Sequence, residues 1–141
     1  MRILLLSPNQ IKRYNWTHSL FRLEIGRHHN TVYYGDGYTN YVHGKSIPQV
    51  VKESGPFDLL LTYGLKYTEP FENIGDVNIP KVHIVVDYFN GAGSGTYERN
   101  HKLFNRDKYN LYFCVVSHEV RNLVKNGVCS KAFLLPFSID T

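Results

Sequence analysis

The sequence is short of the features that mark membrane, secreted or nucleic-acid-binding chains. Its apolar runs, Ile3–Leu6 and Leu111–Val116 among them, fall well below the ~20 residues needed to span a bilayer. Ser7-Pro8-Asn9-Gln10 closes the first run too early for the h-region of a cleavable signal. The only cysteines, Cys114 and Cys129, give neither a disulfide framework nor a zinc-ligand pattern. Cys114 lies within an apolar run, where a reduced thiol acts as a small core residue. A reducing cytoplasm is the expected compartment. The 16 Lys and Arg exceed the 12 Asp and Glu, for a net charge of +4, but they are scattered. With no basic run and no helix carrying several cations, nucleic acid is not an expected partner. His18, His43, His83 and His101 share no ligand spacing, so no bound metal is expected.

What remains is an ordinary globular composition, 43% hydrophobic and 20% charged over 141 residues, which suits one domain. Tyrosine is the exception. There are 11, and Tyr33, Tyr34, Tyr38, Tyr41, Tyr63 and Tyr67 crowd into one third of the chain. Such rings could stack on a sugar or fill the core and rim of long connections.

Apolar runs alternate with amphipathic stretches. Ile3–Ser7 reads as a strand covered on both faces. Trp16, Leu20 and Leu23 then recur at helical spacing, with Asn15 as a possible cap. Thr31–Tyr34 is a second strand, closed by Gly35-Asp36-Gly37. Ser46 and Pro48 open a helix with an Ile47, Val50, Val51 stripe, and Gly55-Pro56 ends it. Phe57–Thr62 and Lys81–Val86 are the third and fourth strands, joined by a polar, tyrosine-bearing connection. A helix from about Thr96 to Arg106 follows the loop Gly91–Gly95, and Leu111–Val116 is the fifth strand. Ser117 would cap the next helix, with Glu119 complementing its dipole. Gly127 and Val128 end that helix, and Lys131–Leu135 is the sixth strand. The alternation predicts a Rossmann-like three-layer α/β/α domain with a mostly parallel sheet.

Such sheets bind ligands beyond the carboxyl ends of their strands. Asp87, directly after Ile84-Val85-Val86, would emerge there. It could accept a proton from a hydroxyl or hold a sugar hydroxyl, or simply cap the turn through Tyr88-Phe89-Asn90. Gly91-Ala92-Gly93-Ser94-Gly95 lies between strand and helix, where phosphate-cradling loops occur. It has no Walker lysine, and no glycine follows the first strand, which counts against an NAD-binding domain. A loop closing over substrate or a plain connection both fit. His118, at a helix start, is either a neutral proton acceptor or a solvent-facing first-turn residue. His28-His29 falls at the opposite, amino edge.

Four stretches carry a family likeness. They are Met1-Arg2-Ile3-Leu4-Leu5, Phe57-Asp58-Leu59-Leu60-Leu61, Ile79-Pro80-Lys81 with Val85-Val86-Asp87, and the run from Ser117 through Gly127 to Leu135-Pro136-Phe137-Ser138-Ile139-Asp140. Together the chain resembles the amino-terminal half of a GT-B glycosyltransferase. It is most similar to the family 4 group and its CgeB-like (spore maturation protein) relatives. The resemblance implies an acceptor-side domain for a sugar or other hydroxyl-bearing acceptor. A second, carboxyl-terminal Rossmann-like domain beyond Thr141 would bind the nucleotide-sugar donor. It implies Asp87 as the catalytic candidate, although family members carry His there. Asn9, Tyr63, Tyr88, Asn90, Gly91, Gly93, Ser117 and His118 are the implied substrate-binding positions. No cofactor of its own is expected, and the domain alone would be inactive. The competing expectation is a non-catalytic, flavodoxin-like module that binds a small phosphorylated ligand through Gly91–Gly95.

Overall fold

The computed structural model describes residues 1–9, 16–85, 96–115 and 117–135. Six strands form one sheet: β1 (Arg2–Leu6), β2 (Asn30–Tyr34), β3 (Leu59–Tyr63), β4 (Lys81–Val85), β5 (Leu111–Cys114) and β6 (Ala132–Leu134). Their order is β2-β1-β3-β4-β5-β6, and every neighbouring pair is parallel. The expected α/β/α architecture is therefore present.

The helices are α1 (Trp16–His28), α2 (Ile47–Ser54), α3 (Leu65–Thr68), α4 (Thr96–Asp107) and α5 (Ser117–Lys125). Right-handed crossovers decide where they sit. The step from β1 to β2 runs opposite to all later steps, so α1 takes one face of the sheet and α2, α4 and α5 the other. The buried clusters match this. Ile47, Val50, Leu103, Phe104 and Leu123 pack with Leu4, Leu6, Leu60, Val85 and Cys114 on one face. Ile25 of α1 joins Ile3, Leu5, Leu61, Tyr63 and Ile84 on the other. That second face thins towards its edge, where Phe113, Val115 and Leu135 are half-buried and Phe133 and Leu134 are exposed.

Local chemistry explains several boundaries. Ser46 precedes α2 and proline occupies its first turn, where a missing N–H costs nothing. At the end of α5, Gly127 has φ 69°, Val128 N–H donates to Leu123 O and Gly127 N–H to Val124 O. This is the paired bonding of a Schellman ending.

Other expectations need correction. Leu23 is 46% exposed, because Arg22 and Ile25, not Leu23, share the inner face of α1. The third strand begins at Leu59, since Phe57 is buried ahead of it. The connection from β3 to β4 holds α3 and a 3-10 turn (Ile74–Asp76), anchored by buried Leu65, Phe71, Ile74 and Val77. Its polar surface hid that apolar face. Glu119 does lie in the first turn of α5, and it is wholly buried there. No helix among the described residues is long and apolar enough to cross a membrane.

Candidate functional site at the carboxyl edge

The strand order reverses between β1 and β3, and in open α/β sheets ligands bind beyond the carboxyl ends at such a switch point. The described residues at this edge are Ser7–Asn9 after β1, Gly35–Gly37 after β2, Tyr63 and Gly64 at the end of β3, and Ser117 and His118 opening α5. Asp87, Tyr88, Asn90, Gly91 and Gly93 lie outside the described residues, in the segment that follows β4.

The exits of β1 and β2 are tied together past the sheet. Ser7 N–H donates to Tyr34 O at 3.0 Å and Asn9 N–H to Asp36 O at 2.7 Å. The Asn9 side chain adds a bond from Nδ2 to Gly37 O at 3.3 Å. Gly35 permits this approach, because a Cβ there would lie 2.4 Å from Ser7 O. Asn9 keeps an exposed side chain at the rim.

Arg22 reaches this corner from α1. It is only 6% exposed, and its Nη1 donates to Ser7 Oγ at 2.8 Å and to Pro8 O at 2.5 Å. Beside it, Tyr33 Oη donates to Arg22 O at 2.7 Å, and the Tyr33 and Tyr38 rings stack 5.6 Å apart. Burial raises both phenol pKa values, and the Arg22 charge works against that rise. The missed signal for Arg22 is its place three residues before Ile25, on the inner face of a helix that follows the first strand.

The tyrosine cluster serves mainly packing. Tyr34 is 2% exposed, meets Tyr41 edge-on at 5.2 Å and donates to Val42 O at 3.1 Å. Tyr63 is 3% exposed, with its ring among Ile3, Leu5, Leu61 and Ile84. Its side chain therefore sits under the rim and not on it. Tyr67 is half-buried against the same cluster.

Ser117 and His118 are exposed at the opening of α5, as expected for the carboxyl edge. The next residue, Glu119, is buried near Cys114. Burial first, then the Glu119 charge, pushes the Cys114 thiol up to about 12, so it stays protonated and inert. Among the described residues, no group of three His, Cys, Asp or Glu side chains could hold a metal ion.

The rim thus offers hydrogen-bonding groups on Asn9, Ser117 and His118, over a floor that includes buried Arg22 and Tyr63. Such a surface can orient hydroxyl groups. No protein-family model, curated protein or solved structure matches this chain.

Proposed function

We propose that this domain is the acceptor-holding half of a two-domain glycosyltransferase. A hydroxyl-bearing acceptor lies along the carboxyl edge, and a second Rossmann-like domain brings the nucleotide-sugar donor. The observation that carries this reading is the parallel sheet with its reversal between β1 and β3, with Asn9, Ser117 and His118 at the same edge. The sequence likeness to family 4 and CgeB-like enzymes supplies the reaction class.

In this reading the domain does two things. It aligns an acceptor hydroxyl with the anomeric carbon, and positioning of this kind is worth up to ~7–11 kcal/mol of barrier. It also forms one wall of a cleft that excludes water from the donor. Asp87, which follows β4, orients the acceptor hydroxyl or accepts its proton. The thin cover over Phe113, Phe133 and Leu135 favours a neighbouring domain on that side.

One observation favours a second reading. The order β2-β1-β3-β4-β5 is that of flavodoxin-like domains, which suits a module binding a phosphorylated ligand at Gly91–Gly95. Amide NMR of the 141-residue chain separates the two. Shifts at Asn9, Ser117 and His118 with simple glycosides and polyols support the transferase. Shifts confined to residues 91–95 with inorganic phosphate or flavin mononucleotide support the module. Silence with every ligand rejects both.

A further inference from the structure

His83, in the middle of β4, is fully buried. Three aromatic rings enclose it: Phe104 at 5.3 Å, Tyr109 at 4.9 Å and Tyr112 at 6.5 Å between centroids. Nδ1 lies 2.6 Å from Thr62 Oγ on the paired position of β3. Nε2 is buried and has no hydrogen-bond partner. A neutral ring tolerates this when Nδ1–H donates to Thr62 and Nε2 is a bare acceptor. A protonated ring does not, because it places a second N–H and a full charge in a buried site where no protein acceptor meets it.

The cover over His83 is α4. Among residues 99–107 only Leu103 and Phe104 are buried apolar groups, and Phe104 rests directly on His83. Polar contacts add to it. Arg99 pairs with Glu69, Arg106 donates to Glu69 O at 3.4 Å, and the buried Asp107 carboxylate accepts from Arg106 and from Tyr109 Oη. By contrast, β1 and β3 bury Ile3, Leu4, Leu5, Leu6, Leu60 and Leu61 almost completely. Elements with few buried apolar contacts open first.

We propose that α4 is an acid-released cover: a proton on His83 expels this helix from the sheet while the central strands stay paired. The other charged groups around the ring define the response. Lys81, on the same face of β4, donates through Nζ to Val77 O and adds like charge. Asp107 is reached through Tyr109 and pairs with Arg106; burial raises its pKa, so its own titration favours closure as pH falls and works against that of His83. Thr62, Tyr109 and Tyr112 bring no charge at acidic pH.

The sign follows from linkage. Burial lowers the His83 pKa from 6.5 to about 3, so the closed state binds fewer protons than the open one. Closure is fully favoured above pH 6.5 and weakens as pH falls below it. At pH 5 the open fraction rises up to about thirtyfold.

Hydrogen exchange of the whole 141-residue chain, corrected for intrinsic rates, tests this at pH 7.5 and pH 5.0. Protection of the α4 amides falls at least tenfold, while Ile3–Leu6 and Leu59–Tyr63 change less than twofold. His83→Leu removes the pH response of α4, and His101→Gln, the other histidine nearby in sequence, keeps it. If His83→Leu does not fold, ring NMR of the unaltered chain serves instead: protonated His83 occurs only in the species whose α4 amides exchange. Constant α4 protection, equal loss in every strand, or an unaltered response in His83→Leu overturns the proposal.

Discussion

The Tyr33 hydroxyl of β2 lies so close to Gly26 of α1 that a Cβ on that glycine would be 2.1 Å from it. The same hydroxyl donates to Arg22 O, one turn earlier on the helix. A single contact therefore joins helix, edge strand and the Arg22 corner. Alanine is a better helix former than glycine by up to ~1 kcal/mol, but here its methyl displaces the tyrosine. Gly26→Ala is expected to stabilise the chain only in a Tyr33→Phe background. The coupling in the double-mutant cycle should be about 1 kcal/mol or more, read from urea denaturation. Additive effects would show that the hydroxyl does not need the missing side chain.

Arg22 holds the exit of β1 through Ser7 Oγ and Pro8 O. Hydrogen bonds from a charged donor are worth ~1.5–3 kcal/mol, against about 1 for neutral ones. Arg22→Met should therefore cost ~2–3 kcal/mol, and Ser7→Ala no more than ~1. Equal costs for the two substitutions would mean that the guanidinium does not organise this corner.

The cysteines should react in a fixed order. Cys114 is buried with its thiol held up to about 12, while Cys129 is partly exposed with a smaller rise, caused chiefly by burial. Nucleophilic attack requires the thiolate. Iodoacetamide at pH 8 should label Cys129 first and Cys114 only when denaturant is added, as peptide mass spectrometry would show. Early labelling of Cys114 in the folded chain would contradict its burial.

Asp87 belongs to the proposed transferase. In the complete two-domain enzyme, Asp87→Asn is expected to lower kcat at least tenfold, because either proton acceptance or orientation of the hydroxyl is lost. Unchanged turnover with sugar-nucleotide donor would remove it from the chemistry.

Much of the scaffold was legible because parallel strands write themselves as unbroken apolar runs. Ile3–Leu6, Leu59–Leu61 and Leu111–Cys114 could be read without any partner in view, and Gly127 with Val128 marked a helix end by backbone chemistry alone. Leu23 misled because helical spacing fixes a stripe but not which side of it meets the sheet. Arg22 was invisible for the same reason, since a cation on an amphipathic helix is ordinarily solvated. The place of Glu119 in the first turn of α5 was legible, but nothing local reveals that its side chain is buried while Ser117 and His118 beside it are exposed. The packing of Tyr33 on Gly26 joins two elements across the β1–β2 crossover, and sequence periodicity carries no such information. The rim positions Asn9, Ser117 and His118 were legible once the strand ends were, because the fold places its loops there.

The last prediction concerns β6, one of the two edge strands of the sheet among the described residues. On β6, Leu134 is 50% exposed, while Phe133 leans on Phe113 at 5.8 Å with Lys131 Nζ 4.9 Å from its ring centroid. An edge strand with exposed apolar side chains is open to pairing with another chain, and a charge on it discourages that. Leu134→Lys touches little, so its effect on stability should stay within ~0.5 kcal/mol while light scattering shows less self-association at high concentration. Phe133→Lys should give the same protection at a cost of ~0.5–1.5 kcal/mol, because it also removes the contact between the two rings. If Leu134→Lys instead destabilised the chain as strongly as a core substitution, β6 would be an interior strand in solution, covered by something larger than the described residues.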